Sequence, residues 1–258
     1  MPMAMNPGTY RQCQYVYMNR DGGVAECQKV FMNRDGGVAQ VFARTVMHDH
    51  GVKMNSVSFT AGNGTHNPLS GGSNNNWSIL FVFYWKSAKG GALLYHNYNQ
   101  RESIIKLHND GRIEVWAARY DTGSDKSWYS TKLCEVGKVN AVLVNKNGQI
   151  FINGQNATPS SYGGDMPMWG EFKIFPDRDI DGVCMGLQGW NWILNSSYVH
   201  VSNPITWPYQ TDPSDWAMTF DKTLAYRLNS LSGAQKNITG TAVYEAYYWG
   251  ADRMPTKI

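Results

Sequence analysis

Short apolar runs broken by Gly, Asn, Asp and Ser recur along most of this chain, and none settles into the spacing of a long amphipathic helix. The strongest run, Ser78 to Trp85 (SILFVFYW), is continuously apolar and predicts a core strand buried on both faces. Gly91 to His96 (GALLYH) and Ser103 to His108 (SIIKLH) follow at hairpin distance, and Asn109-Asp110-Gly111 supplies a turn. Arg112 to Ala117 (RIEVWA) alternates polar with apolar, as a strand with one face in water does. Val139 to Asn145 then runs into Lys146-Asn147-Gly148, Gln149 to Asn153 and Gly154. Strands at this regular spacing predict an all-β, jelly-roll sandwich over residues 54–206. From residue 207 to 258 the clearest strand signal is Thr241 to Trp249 (TAVYEAYYW), which predicts strands that complete the sandwich or pack on it.

Ahead of the sandwich a 14-residue unit is written twice in tandem, Cys13 to Glu26 (CQYVYMNRDGGVAE) and Cys27 to Gln40 (CQKVFMNRDGGVAQ). A third copy begins at Val41-Phe42 and fades. Each unit has an apolar-rich arm (Val16, Tyr17 and Met18 in the first), a polar turn (Asn19, Arg20, Asp21, Gly22 and Gly23) and a return arm through Val24. Glycine supplies the positive φ angles of a tight hairpin, and the flanking Val, Tyr and Phe favour strands. A unit this short cannot bury its own apolar face, so it must stack on its neighbour, on the next domain or on a partner chain. Residues 1–53 are therefore expected to form a docking or oligomerisation tab. Its working residues would be Tyr17, Arg20, Asp21, Gly22 and Gly23, and their counterparts Phe31, Arg34, Asp35, Gly36 and Gly37.

These units resemble the short repeats ending in DGGV found in structural and tail-associated proteins of bacteriophages, although Ala25 and Ala39 stand where such repeats usually carry Trp. The resemblance implies a virion protein assembled in the host cytoplasm, with other virion proteins as partners and a homotrimer as the expected state. The middle of the chain resembles a second group. GGALLYH followed by SIIKLHNDGRIEVW, then VNAVLVNKNGQIFINGQ, then IDGVCMGLQGWNWIL, follow the strand order of laminin G-like and concanavalin A-like lectin sandwiches. No single motif carries that likeness; the order of several does.

Composition agrees with a β fold: 26 Gly, 13% aromatic residues and only 17% charged ones. A net charge of +3, scattered rather than in runs, argues against nucleic acid as partner. No apolar span of about 20 residues suggests membrane insertion, and the start MPMAMNPGTYRQ has neither the basic nor the apolar segment of a signal peptide. Four cysteines, Cys13, Cys27, Cys134 and Cys184, lack zinc spacing and are expected as free thiols.

Catalytic patterns are missing. Glucan-cleaving sandwiches carry alternating carboxylates on one strand, because acid and nucleophile must stand about 5 Å apart. Here Glu114 alternates with Arg112 and Trp116, and Glu171 stands alone before Lys173. A non-enzymatic role is expected. Alternate carboxylates Asp177, Asp179 and Asp181 in a loop ending at Gly182 are candidate calcium ligands, and His48-Asp49-His50 is a candidate iron pair if a trimer brings copies to its axis. Sugars are held by aromatic rings stacked on their apolar faces, with loop polar groups on the hydroxyls. Trp128 and Tyr129 after the polar turn Thr122–Lys126, Trp169 in a Gly- and Met-rich loop, and Trp190 and Trp192 around Asn191 are the candidate ligand-binding residues. Trp77, Trp85 and Trp116 lie in strands and are expected in the core. The expected function is a tail-fibre or receptor-binding component recognising host surface glycan. A capsid decoration or head-fibre protein is the alternative, and a cellular glycan-binding module or glycosidase the alternative of another class.

Overall fold

The computed structural model describes residues 16–20, 23–27, 29–34, 37–43, 50–61, 76–98, 101–119, 123–163, 166, 171–190, 193–194, 216–220, 226–230, 238–241, 244–249 and 255–257. The chain divides into two units, Met1–Val46 and Met47–Ile258. In the first, β1 (Val16–Arg20) pairs with β2 (Gly23–Cys27), and β3 (Lys29–Arg34) pairs with β4 (Gly37–Ala43), as two separate antiparallel hairpins. Arg20 partners Gly23 and Arg34 partners Gly37, so only Asp-Gly separates the arms of each. Asn19, Arg20 and Gly23, read from sequence as turn, lie in strands, because two residues are enough to reverse a twisted ribbon. Asp21, Gly22, Asp35, Gly36 and the side chains of Tyr17, Arg20, Phe31 and Arg34 lie outside the described residues.

The second unit runs through β5 (His50–Lys53), β6 (Ser58–Ala61), β7 (Ser78–Trp85), β8 (Gly91–Tyr98), β9 (Arg101–Leu107) and β10 (Ile113–Arg119). It continues with β11 (Ser124–Tyr129), β12 (Lys138–Asn145), β13 (Ile150–Ile152), β14 (Gln155–Asn156), β15 (Phe172–Ile174) and β16 (Gly182–Trp190). The last strands are β17 (Trp216–Phe220), β18 (Tyr226–Ser230), β19 (Ile238–Thr241), β20 (Tyr244–Trp249) and β21 (Pro255–Lys257). They form two antiparallel sheets. One has seven strands in the order β11-β10-β9-β8-β15-β6-β19. The other has ten, in the order β14-β13-β12-β7-β16-β5-β20-β21, with β17 paired to β16 and β18 to β17. β5 falls within residues 1–53, the segment assigned from sequence to the tab, yet it pairs with β16 and β20 in the larger sheet. The tail strands enter both sheets, β19 beside β6 and β20 beside β5. Among the described residues no helix is long and apolar enough to cross a membrane.

Strand β7 explains the layering. Side chains alternate across a strand, so a continuously apolar run feeds both faces. Ile79, Phe81, Phe83 and Trp85 enter the main core with Val142, Val144, Ile105, Val115, Phe172 and Ile174. Leu80 and Val82 point the other way, into a second cluster with Ala141, Leu143, Phe151, Met185 and Trp190. Turn chemistry fixes the registers. Asn153 (φ 51°) and Gly154 (φ 79°) are both left-handed, which is what a two-residue connection between paired Ile152 and Gln155 requires. Asn153 also bonds Ala141 twice, its Oδ1 accepting the Ala141 N–H at 2.8 Å and its own N–H donating to the Ala141 carbonyl at 2.9 Å.

Candidate functional site

The seven-stranded sheet turns Phe59, Leu94, Ile105, Val115, Phe172 and Ile174 inward to the core. Their strand neighbours therefore face outward. Ser127, Trp116, Ile104, Tyr95, Lys173 and Thr60 are successive register partners across β11, β10, β9, β8, β15 and β6. At about 4.8 Å per strand this row extends roughly 24 Å. Trp116, Ile104, Tyr95 and Thr60 are half-buried, and Ser127 and Lys173 are exposed. From β10 to β6 the row is an apolar and aromatic strip followed by a cation and a hydroxyl, and Thr239 of β19 partners Thr60 beyond it.

Over β15 and β6 the outer face of the sheet carries an open, shallow cavity of about 540 Å³. Its floor is Ser58, Thr60, Tyr95 and Lys173; its wall is Pro176, Asp177 and Arg178 from the loop after β15. That loop is held under strain. Phe175 (φ 52°) and Arg178 (φ 54°) are both left-handed, a region that residues with a Cβ seldom occupy. Core contacts hold it: the Phe175 N–H donates to the Leu93 carbonyl at 3.1 Å, and its buried ring lies 6.4 Å from Phe81.

Tyr95 is fixed through its hydroxyl, which accepts from Asn97 Nδ2 at 3.2 Å and donates to the buried Glu102 carboxylate. The Asn97 bond pulls the phenol pKa down. Desolvation and Glu102 outweigh it, and the group sits above its ordinary value. At the other end of the face, Glu114 accepts from Tyr129 and lies 2.7 Å from His108 Nε2. Arg112 covers the Tyr129 ring at 4.9 Å from its centre, and the His108 ring meets it edge-on at 5.4 Å. Glu114, through its hydrogen bond and its charge, raises the Tyr129 pKa. The carboxylates Glu102 and Glu114 thus orient aromatic rings on this face.

The expected tryptophans fall elsewhere. Trp128 is 4% exposed, donates Nε1–H to the Gly148 carbonyl at 2.8 Å and belongs to the core, so it has no free face for a ligand. Strand alternation is the reason: Tyr129, next to it, takes the outward position and is 37% exposed. Trp190 is fully buried in the second apolar cluster. Trp169 and Trp192 lie outside the described residues. Trp77 and Trp85 are core as expected, but Trp116 is half-buried on the outer face. Its phase with Arg112 and Glu114 in RIEVWA was the signal that marked it as outward.

The acidic loop does not gather. Asp177 faces the cavity, Asp179 packs beside Gly91, and Asp181 accepts from the Ser87 hydroxyl. Among the described residues no group of three or more His, Cys, Asp or Glu is placed to hold a metal ion. His48 is outside the described residues, and His50 opens β5 opposite Ala246. Cys134 and Cys184 are buried free thiols whose pKa burial pushes up.

No family model matches the sequence, and no curated protein matches it. Solved structures do. A Bacteroides ovatus protein whose carbohydrate-binding role is itself inferred superposes with a TM-score of 0.52 at 11% identity, over 86% of this chain and 67% of that one. A heptameric SAP-like pentraxin from Limulus polyphemus aligns over 73% of this chain and 96% of its own, with a TM-score of 0.36 and 13% identity. Domains LG4-5 of the mouse laminin α1 chain align over 61% of this chain and 46% of theirs, with a TM-score of 0.42 and 11% identity. The likeness is one of fold: an all-β, lectin-like jelly-roll sandwich.

Proposed function

We propose that this protein is a non-enzymatic, glycan-binding component of a bacteriophage particle, displayed to recognise host surface sugars in a tail-fibre or receptor-binding role. The observation that carries the glycan reading is the outward row from Trp116 through Ile104 and Tyr95 to Lys173 and Thr60, ending in the cavity. Half-buried rings supply apolar faces for pyranose stacking, and Ser58, Thr60 and Lys173 supply hydrogen bonds for hydroxyls. The fold it shares with a Bacteroides ovatus protein of inferred carbohydrate binding supports the same reading. The virion role rests on the tandem Asp-Gly-Gly units, whose paired hairpins form a unit separate from the sandwich and suited to docking on other virion proteins or to joining three copies.

The test is adsorption of the purified full chain to host cells, with binding to an oligosaccharide array alongside. Wild type binds both, and Trp116→Ala loses both while its melting transition falls only slightly. Wild-type protein that binds the array but decorates the capsid, seen by antibody labelling of whole particles, would move it from tail fibre to head. Failure to bind any glycan would remove the lectin role.

A further inference from the structure

We infer that the cavity beside β6 and β15 takes an anionic sugar: a pyranose carrying a carboxylate or sulfate, whose oxyanion lies between Lys173 and Arg178. This rests on the glycan-binding reading and names the chemical class of ligand. Two cations and one carboxylate, Lys173, Arg178 and Asp177, line the cavity, giving it a positive balance. Neither Lys173 nor Arg178 takes part in the ion pairs His108–Glu114, Arg112–Asp110 and Lys138–Glu135. Both side chains are exposed where they line the cavity, and a guanidinium can grip a planar carboxylate or a sulfate with two parallel bonds.

Position adds to charge. Lys173 stands in register between Tyr95 and Thr60, so an oxyanion bound there is one strand from a ring on one side and a hydroxyl on the other. Arg178 reaches the cavity from a turn in which two residues with side chains hold left-handed φ angles, with Phe175 locked into the core. Such strain persists only where surrounding packing enforces it, and it fixes the direction in which Arg178 leaves the backbone.

The experiment is a binding comparison on the full chain, using oligosaccharides that carry uronate, sialate or sulfate beside their neutral counterparts. Lys173→Gln and Arg178→Asn are the variants, asparagine being chosen because it tolerates a left-handed backbone. The expected result is that one acidic class binds, that its neutral counterpart binds at least about tenfold more weakly, and that each variant weakens the acidic ligand about tenfold. Binding should also fall as salt rises. The class that binds tells carboxylate from sulfate. Inorganic sulfate competing as well as the sulfated sugar, or single-stranded DNA binding with the same sensitivity to both variants, would overturn the sugar assignment. Equal binding of neutral and acidic sugars, unchanged in both variants but lost in Trp116→Ala, would overturn the anion while leaving the glycan reading intact. No binding to any sugar would overturn both.

Discussion

Trp116 and Trp128 stand on neighbouring strands one residue out of register, Trp116 opposite Ser127 and Trp128 opposite Val115, and so point to opposite faces of one sheet. One is a candidate ligand platform and the other a core residue. Their alanine variants should divide accordingly. Trp128→Ala is expected to cost about 3–5 kcal/mol of stability, as large aromatic deletions in cores do. Trp116→Ala should cost under about 1 kcal/mol and weaken glycan binding. Thermal melts and a binding assay on both variants check this, and a melt unchanged by Trp128→Ala would refute the core placement.

Gly148 is paired with Trp128 in a second expectation. It holds φ +75°, and a Cβ there would lie 2.2 Å from Trp128 Cζ2. Gly148→Ala should destabilise by about 2 kcal/mol through backbone strain and overpacking. Combining it with Trp128→Leu, which removes the obstructing ring, should cost less than the two single losses added, by at least about 0.5 kcal/mol. Denaturant unfolding of the double-mutant cycle measures the coupling.

Tyr129 offers a titration. Its hydrogen bond to Glu114 and the charge of that carboxylate favour the neutral phenol, so its pKa lies above the ordinary 10.0. A raised folded pKa means the contact contributes fully below the unfolded value and is lost as pH climbs through the folded one. In an ultraviolet titration Tyr129 should ionise later than a solvated tyrosine. Glu114→Gln should move that transition down toward the ordinary value, and a titration indifferent to Glu114 would contradict the contact.

The N-terminal unit ends at Val46, and the sandwich unit begins at Met47. If this unit joins the copies of a trimer, removing residues 1–46 leaves a folded sandwich that sediments as a monomer while the full chain sediments as a trimer; a full chain that is itself monomeric would refute the assembly role. A truncated protein that still sediments as a trimer would place the assembly contact in the sandwich.

Local rules made much of this legible. SILFVFYW required a strand buried on both faces, and β7 feeds two apolar clusters. Asp-Gly required short hairpins, and Arg20 and Arg34 partner Gly23 and Gly37 across two residues. The site was less legible, for two physical reasons. The first is phase: neighbouring residues on a strand face opposite sides, so placing Trp128 with Tyr129 on a rim was wrong for one of them, whereas RIEVWA already put Trp116 in step with Arg112 and Glu114. The second is sheet order. Lys173, Tyr95 and Thr60 come from three distant stretches and become neighbours only because β15 inserts between β8 and β6. No local pattern records that insertion.

The same insertion sets when the site comes into being. Ile174 must pair with Phe59 on one side and Leu94 on the other before the cavity has a floor, so its last component leaves the ribosome long after its first. Contacts this far apart in sequence form late, since the loop between them must close before they contribute anything. A nascent chain that has made only β6 to β12 has most of the aromatic strip and no cavity. The pairing on which the cavity depends is therefore available only once β15 has emerged, while β16 to β21 still follow it in the chain.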